Sequence, residues 1–383
     1  MRWWRRFDRA EVAEDFARVR GAGADLVRFF LLWEDFQPDP ATVSDEALGR
    51  LHTVADIAAR SKLKIMPTLF TGHMSGANFI PEWALGDATG PTRFRVIAQD
   101  RVSGRAMRNW YADDEIARAQ VTLARECARA LAGHPALWGW DLGNENSNCC
   151  VPPTRDDGLR WLDRVAEAIR SVDASCHLTV GIHLEDLEED RRIGPAEAAR
   201  VSDVLSMHGY PIYASWSAGP MDEEFVAFLA TVTRWLGGKD VFFTELGAPT
   251  RNGDAEVEDR AGAMLLREND AAVYLEGAIE RLYRAGTTGA LVWCYADYAR
   301  PIWKEPPLDL APHERHFGLW RPDGTPKPGA AALSGTDPAT RLDPRPAPWS
   351  EDLRRRFYES PKATLAQLYA SVREAVPLAR PLL

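Results

Sequence analysis

Apolar runs of strand length recur along this chain, each separated from the next by a stretch with helical periodicity. That alternation restricts the fold to a parallel α/β architecture. Val12, Phe16 and Val19 predict a helix over 8–20, stopped by Gly21 and Gly23, and 25–32 reads as a strand. Helical patterns over 45–60, 113–132, 155–171, 221–236 and 268–285 lie among strand-like runs at 63–69, 136–142, 177–182, 204–207, 241–244 and 289–294. Strands joined through helices imply right-handed crossovers. The count is one strand short of a (β/α)8 TIM barrel, and the missing element is the first, because no apolar run precedes Trp3. Either residues 1–4 form a stub of that strand or the start is placed too late, and an open seam would leave backbone groups unpaired.

Residues 1–333 hold this pattern and form the expected barrel; 334–383 are a Pro-rich segment (Pro338, Pro344, Pro346, Pro348) and an amphipathic helix near 361–374 that should pack back on it. Two connections, 70–111 and 295–317, exceed the roughly 12–15 residues at which structureless loops become uncommon. Both follow strands, so both should wall a cleft at the catalytic face.

A formal net charge of -10 argues against a nucleic-acid partner, which calls for clustered Lys and Arg. No apolar run reaches the roughly 18 residues of a membrane span, so no membrane partner is expected. Five Cys without metal-type spacing, two of them adjacent at Cys149 and Cys150, fit reduced thiols and a cytoplasmic location. Oligomeric state is not readable.

Glu145 and Glu245 each follow a strand-like run, Trp138–Asn144 and Val241–Thr244. Parallel α/β folds place their chemistry at the carboxyl ends of strands. Two acids so placed suggest paired-carboxylate attack on a glycosidic bond, which needs neither metal nor organic cofactor.

With the strands counted as in a complete barrel, Asn144-Glu145 ends the fourth and Glu245 the seventh, and the arrangement resembles clan A of the retaining glycoside hydrolases. Arg28 is similar to the family's second-strand Arg, His208-Gly209-Tyr210 to its His-x-Tyr after the sixth strand, Trp293 to its eighth-strand Trp, and Phe317–Pro328 to its closing segment. The segments Leu31–Phe36 and Thr71–Gly76 resemble an endo-β-1,4-mannosidase-like or cellulase-like group. The resemblance implies Glu245 as nucleophile and Glu145 as acid/base, with Arg28 and Tyr210 keeping Glu245 ionised and the Glu245 charge keeping Glu145 protonated. It further implies that Asn144 bonds the sugar 2-hydroxyl and that Trp293 floors the sugar site. His73 and His183 are candidates for sugar hydroxyls or simple hydrogen-bonders, and His208 divides between the site and a structural role beneath it.

The implied substrate is a β-1,4-linked mannose- or glucose-containing oligosaccharide. A cellulase-like β-glucanase or transglycosylase on the same two glutamates, and a sugar-binding barrel without turnover, stay open. A metal-dependent hydrolase would need clustered His and Asp at strand ends, which the sequence does not suggest. Asp141 reads as buried scaffolding, and Trp3 and Trp4 as glycone-pocket residues or loose ends.

Overall fold

The computed structural model describes residues 3–90, 92–251, 265–334, 342–344 and 346–375. Seven parallel strands form its centre: β1 (Leu26–Leu32), β2 (Lys64–Thr71), β3 (Gly139–Asn144), β4 (His177–Gly181), β5 (Leu205–His208), β6 (Val241–Leu246) and β7 (Gly289–Val292). β1 to β4 pair in sequence order, and β5, β6 and β7 do the same. The two sets meet where the His208 amide donates to the Ile182 carbonyl at 3.0 Å. Register sets the inward-facing polar groups in layers: Arg28 lies opposite Met66, Thr68 opposite Asp141, and His208 opposite Glu245.

The helices wrap the outside. α1 (Arg9–Gly21) is capped by the Asp8 carboxylate, α2 (Asp45–Arg60) by Ser44, α3 (Asp114–Leu131) by Asp113, and α4 (Arg155–Arg170) by a Thr154–Asp157 capping box. Each cap satisfies amides that the first helical turn leaves without partners. α5 (Glu223–Gly237) and α6 (Glu268–Arg284) complete the set, and the short helices Leu184–Glu188 and Pro195–Ala198 fill the β4–β5 connection. On α2, Leu51, Val54, Ala55 and Ala58 recur at helical spacing and are buried, which fastens that helix to the sheet.

Among the described residues, β1 pairs only with β2 and β7 only with β6, so the seam expected from the sequence is present. A groove of about 1080 Å³ runs along it, bordered by Val27, Phe29, Leu291 and Trp293 and by Glu245. Residues 3–6 form a turn and not a strand stub. Trp4 is buried, its ring edge-on to Phe36 at 4.8 Å and its indole N–H donating to the Phe30 carbonyl at 2.7 Å. Neither Trp3 nor Trp4 lines the catalytic-face cavity. Burial of the Trp4 indole favours holding this segment against β1.

The connection 70–111 carries its own β structure, with strands at His73–Met74, Ala77–Phe79, Arg95–Ala98 and Arg101–Ser103 and a separate antiparallel pair, Leu85–Thr89 with Arg105–Met107. The connection 295–317 holds 3-10 turns at Arg300–Ile302 and Pro312–His316. The two are tied together: Arg95 forks onto Asp309 with contacts of 2.5 and 3.0 Å, and the Ser75 and Tyr298 hydroxyls lie 3.3 Å apart. Beneath them, buried Lys327 bonds Asp297 and the Thr250 hydroxyl, each at 2.7 Å. The closing helix α7 (Pro361–Ala375) lies on α5, with Tyr369 against Phe228 at 4.9 Å and its hydroxyl donating to Asp222 at 2.7 Å.

Candidate active site

At the carboxyl ends of the strands lies a cavity of about 360 Å³, and Asn144, Glu145, His208, Tyr210, Glu245, Trp293 and His73 are all on its wall. Strand order explains the gathering. Asn144 ends β3, His208 ends β5, Glu245 lies near the end of β6, and Trp293 follows β7 directly. Register shifts between Met207 and His208 and between Phe243 and Leu246 turn these last residues inward.

Arg28, on β1, is not on the cavity wall. Its guanidinium is nearly closed off from solvent and gives one N–H to Glu245 Oε1 at 2.6 Å, one to Asn144 Oδ1 at 2.7 Å, and two to Asp141 Oδ2 at 2.7 and 2.9 Å. Asp141 also accepts from the Thr68 hydroxyl and the Gly181 amide, so it is the scaffold the sequence suggested. A Cβ on Gly181 would meet the Gly143 carbonyl at 2.3 Å and Arg28 at 3.3 Å, so only glycine lets β4 approach this network. The other oxygen of Glu245, Oε2, accepts from the Tyr210 hydroxyl at 2.7 Å. Burial and the Glu245 charge push the Tyr210 phenol well above its usual range, so it stays a donor.

Glu145 is held differently. It sits at φ 49°, a left-handed conformation uncommon outside glycine, which swings its carboxylate off the strand axis. His208 Nδ1 lies 3.0 Å from its Oε1, and the Asn148 amide donates to Oε2 at 3.0 Å. His73 and His183 stand 3.8 and 3.9 Å from Oε2. Burial opposes ionisation of Glu145, but His183, the His208 hydrogen bond and His73 outweigh it and hold the carboxyl below the usual carboxylate range. The sequence-based expectation of a protonated Glu145 weighed only the Glu245 charge; the imidazoles around it act in the opposite direction. Burial pushes His73 down, and its Nδ1 is 2.8 Å from the Asn78 side-chain oxygen.

One oxygen of Glu145, one of Glu245 and a nitrogen of His208 all lie within 4.8 Å of one another. The sequence did not suggest this clustering of histidine with the acids. The Arg28 guanidinium already supplies a positive charge to Glu245, and Tyr210 takes its other oxygen.

Sequence reasoning missed Glu314, Tyr213 and Asn148, which also line the cavity. Glu314 is 11% exposed and accepts from the Tyr213 hydroxyl at 3.1 Å. Burial raises its carboxyl to about 7, the Tyr213 and Ser75 hydrogen bonds pull against that, and the charges of Glu145 and Glu245 add to it. Asn148 carried one usable signal, its position three residues beyond Glu145 in a turn. Glu314 carried none beyond lying in an over-long connection.

No family sequence model and no curated protein sequence matches the chain. Solved structures do. A GH5_18 variant from Streptomyces cattleya in complex with Manβ1-4GlcNAc aligns over 97% of this chain and 89% of its own, with TM-score 0.76 and 21% identity. A GH5_18 from Bifidobacterium longum subsp. infantis aligns over 90% and 76%, with TM-score 0.71 and 21% identity. An exo-β-1,4-mannosidase from an Opitutaceae bacterium reaches 25% identity and TM-score 0.69 over 87% of this chain, which spans 56% of that protein. The chain has the α/β TIM-barrel fold of these proteins.

Proposed function

We propose that this barrel is a retaining β-glycoside hydrolase that removes a terminal mannose-type sugar from a short β-1,4-linked oligosaccharide. The observation that carries it is the closeness of the two carboxylates, with one oxygen from each within 4.8 Å of the other. Retaining enzymes hold their carboxyl groups about 5–5.5 Å apart, whereas inverting enzymes need about 6.5–9.5 Å to admit a water between them.

The differing surroundings support a division of labour. Glu245, paired with Arg28 and bonded by Tyr210, is the nucleophile: its oxygen attacks the anomeric carbon as the glycosidic bond breaks. Glu145 protonates the departing oxygen. His208 Nδ1, 3.0 Å from its Oε1, is placed to exchange the proton that this step consumes. Once Glu245 is glycosylated, Glu145 takes a proton from the incoming water, which attacks the anomeric carbon and frees Glu245. Asn144 is fixed between Arg28 and the His73 carbonyl and meets the sugar 2-hydroxyl, and Trp293, stacked on Phe30 at 5.5 Å, floors the sugar. Arg28 acts through Glu245 and Asn144.

The tie between the two long connections, Arg95–Asp309 and Ser75–Tyr298, supports action at a chain end, since it joins two loops that each contribute residues to the cavity wall. The sugar called Man in the ligand Manβ1-4GlcNAc of the Streptomyces cattleya structure supports the mannose assignment.

The test is hydrolysis of β-manno- and β-gluco-disaccharides by the parent and by Glu245→Ala. Turnover by the parent alone, restored in the variant by azide with formation of the α-glycosyl azide, supports the nucleophile. Equal turnover by both proteins refutes it, and sugar binding without turnover by either favours the binding-protein reading.

A further inference from the structure

The cavity holds a third carboxyl that the two-glutamate chemistry does not use. Glu314 comes from the Pro312–His316 turn, on the same wall as Tyr213 and Phe317. His313 Nε2 is 3.5 Å from its Oε1, and the Tyr213 hydroxyl bonds that same oxygen at 3.1 Å. Ser75 reaches it from the opposite connection. The carboxyl therefore sits in the roof that joins the two loops, almost out of solvent. No guanidinium or ammonium is paired with it among the described residues, in contrast to Glu245.

A buried carboxyl without a cationic partner is costly unless other donors reach it. Sugar hydroxyls are such donors. The proposed chemistry fixes the orientation of the sugar that would supply them: the anomeric carbon lies between Glu145 and Glu245, and the 2-hydroxyl is taken by Asn144. What remains to face Glu314 is the edge of the ring bearing the 3-, 4- and 6-hydroxyls.

We infer that Glu314 is a specificity-determining residue whose Oε2 accepts a hydrogen bond from a 3-, 4- or 6-hydroxyl of the terminal sugar. This deepens the proposed function and rests on it. Tyr213 holds Oε1 and so aims the carboxyl. A site built to bond a hydroxyl rejects an analogue lacking it, because its own buried group is then left without a donor.

The experiment compares kcat/KM for an aryl β-mannoside and its 3-, 4- and 6-deoxy analogues in the parent, Glu314→Gln and Glu314→Ala, with thermal melting as a check on folding. The expected result is that one analogue is poorer than the full mannoside by about 10-fold or more in the parent. In Glu314→Ala that penalty falls to about 3-fold or less while the other two are unchanged, and Glu314→Gln, which keeps an acceptor oxygen, retains part of it. A purely structural Glu314 would lower all four substrates together and leave the penalties as they were; that outcome overturns the inference. A parent that turns over aryl β-glucosides but discriminates among no deoxy mannosides overturns it too, without touching the glycosidase reading. A parent inert toward every β-glycoside removes that reading, and this inference with it.

Discussion

Arg28 and Glu245, 217 positions apart in sequence, meet at 2.6 Å, and the same guanidinium grips Asp141 on its other edge. The catalytic-face carboxylate is thus positioned by an ion network that lies almost wholly out of water. Asp141 has no solvent exposure and receives four donor groups, from Arg28, Thr68 and Gly181. Replacing it with alanine leaves Arg28 half-compensated and strands two neutral donors. The expected cost to stability of Asp141→Ala is about 3 kcal/mol, read from urea unfolding. An unchanged denaturation midpoint would show that the network carries no structural weight.

The layout of this network was partly legible in the sequence. A strand ending in Asn-Glu and another ending in Glu declare their positions through apolar runs, because strand ends in a parallel sheet share one face. Arg28 was legible through its resemblance to the second-strand Arg of clan A glycoside hydrolases. The imidazole ring around Glu145 was not, since His73, His183 and His208 come from three separate strand ends, and only the curving of the paired strands brings them within 4 Å of one carboxylate. Glu314 was hidden more deeply. Its place depends on how an irregular connection folds over the cavity, and such a segment has no periodicity from which direction can be read. The β structure within 70–111 escaped notice because its strands are only two to five residues long.

Lys327 offers a second test of the fold. Its ammonium is 3% exposed and bonds Asp297, Thr250 and the His316 carbonyl, so it ties the closing segment to the connection that carries Glu314. Burial drives the Asp297 carboxyl upward, and Lys327 is the main force resisting that shift. Lys327→Met keeps the volume and deletes the charge, which should cost about 3 kcal/mol by leaving a buried carboxylate alone. The loss should shrink on acidification as Asp297 takes up a proton. A pH-independent loss in denaturant unfolding would assign the effect to packing instead.

The fork between Arg95 and Asp309 is about a quarter to a third exposed, so its contribution to stability is small, at most about 1 kcal/mol. Its geometric role is larger. Asp309→Ala should melt within a few degrees of the parent but loosen the tie between the two connections. Relative activity on trisaccharides against disaccharides, measured by product chromatography, should then rise, with cleavage of internal bonds appearing. A product pattern identical to the parent's would place the barrier to longer chains elsewhere.

The last expectation concerns pH. Glu145 must be protonated to act as an acid, so activity falls as pH rises through its pKa in the working enzyme. Burial raises that pKa, and His183, His208 and His73 lower it, with the His208 hydrogen bond at 3.0 Å the shortest of the three contacts. His208→Ala removes the hydrogen bond to the ionised form and the imidazole's remaining electrostatic pull on it. Both changes favour the protonated carboxyl, so the alkaline limb of kcat/KM should move to higher pH, by roughly one unit. At the same time kcat should fall on substrates with poor leaving groups, because the route by which the proton reaches Glu145 is gone, while activated aryl glycosides that need no acid should be spared. The pH–rate profile with both substrate classes separates the two effects. An alkaline limb that moves downward, or a loss equal for both classes, would mean that His208 serves the fold and not the acid.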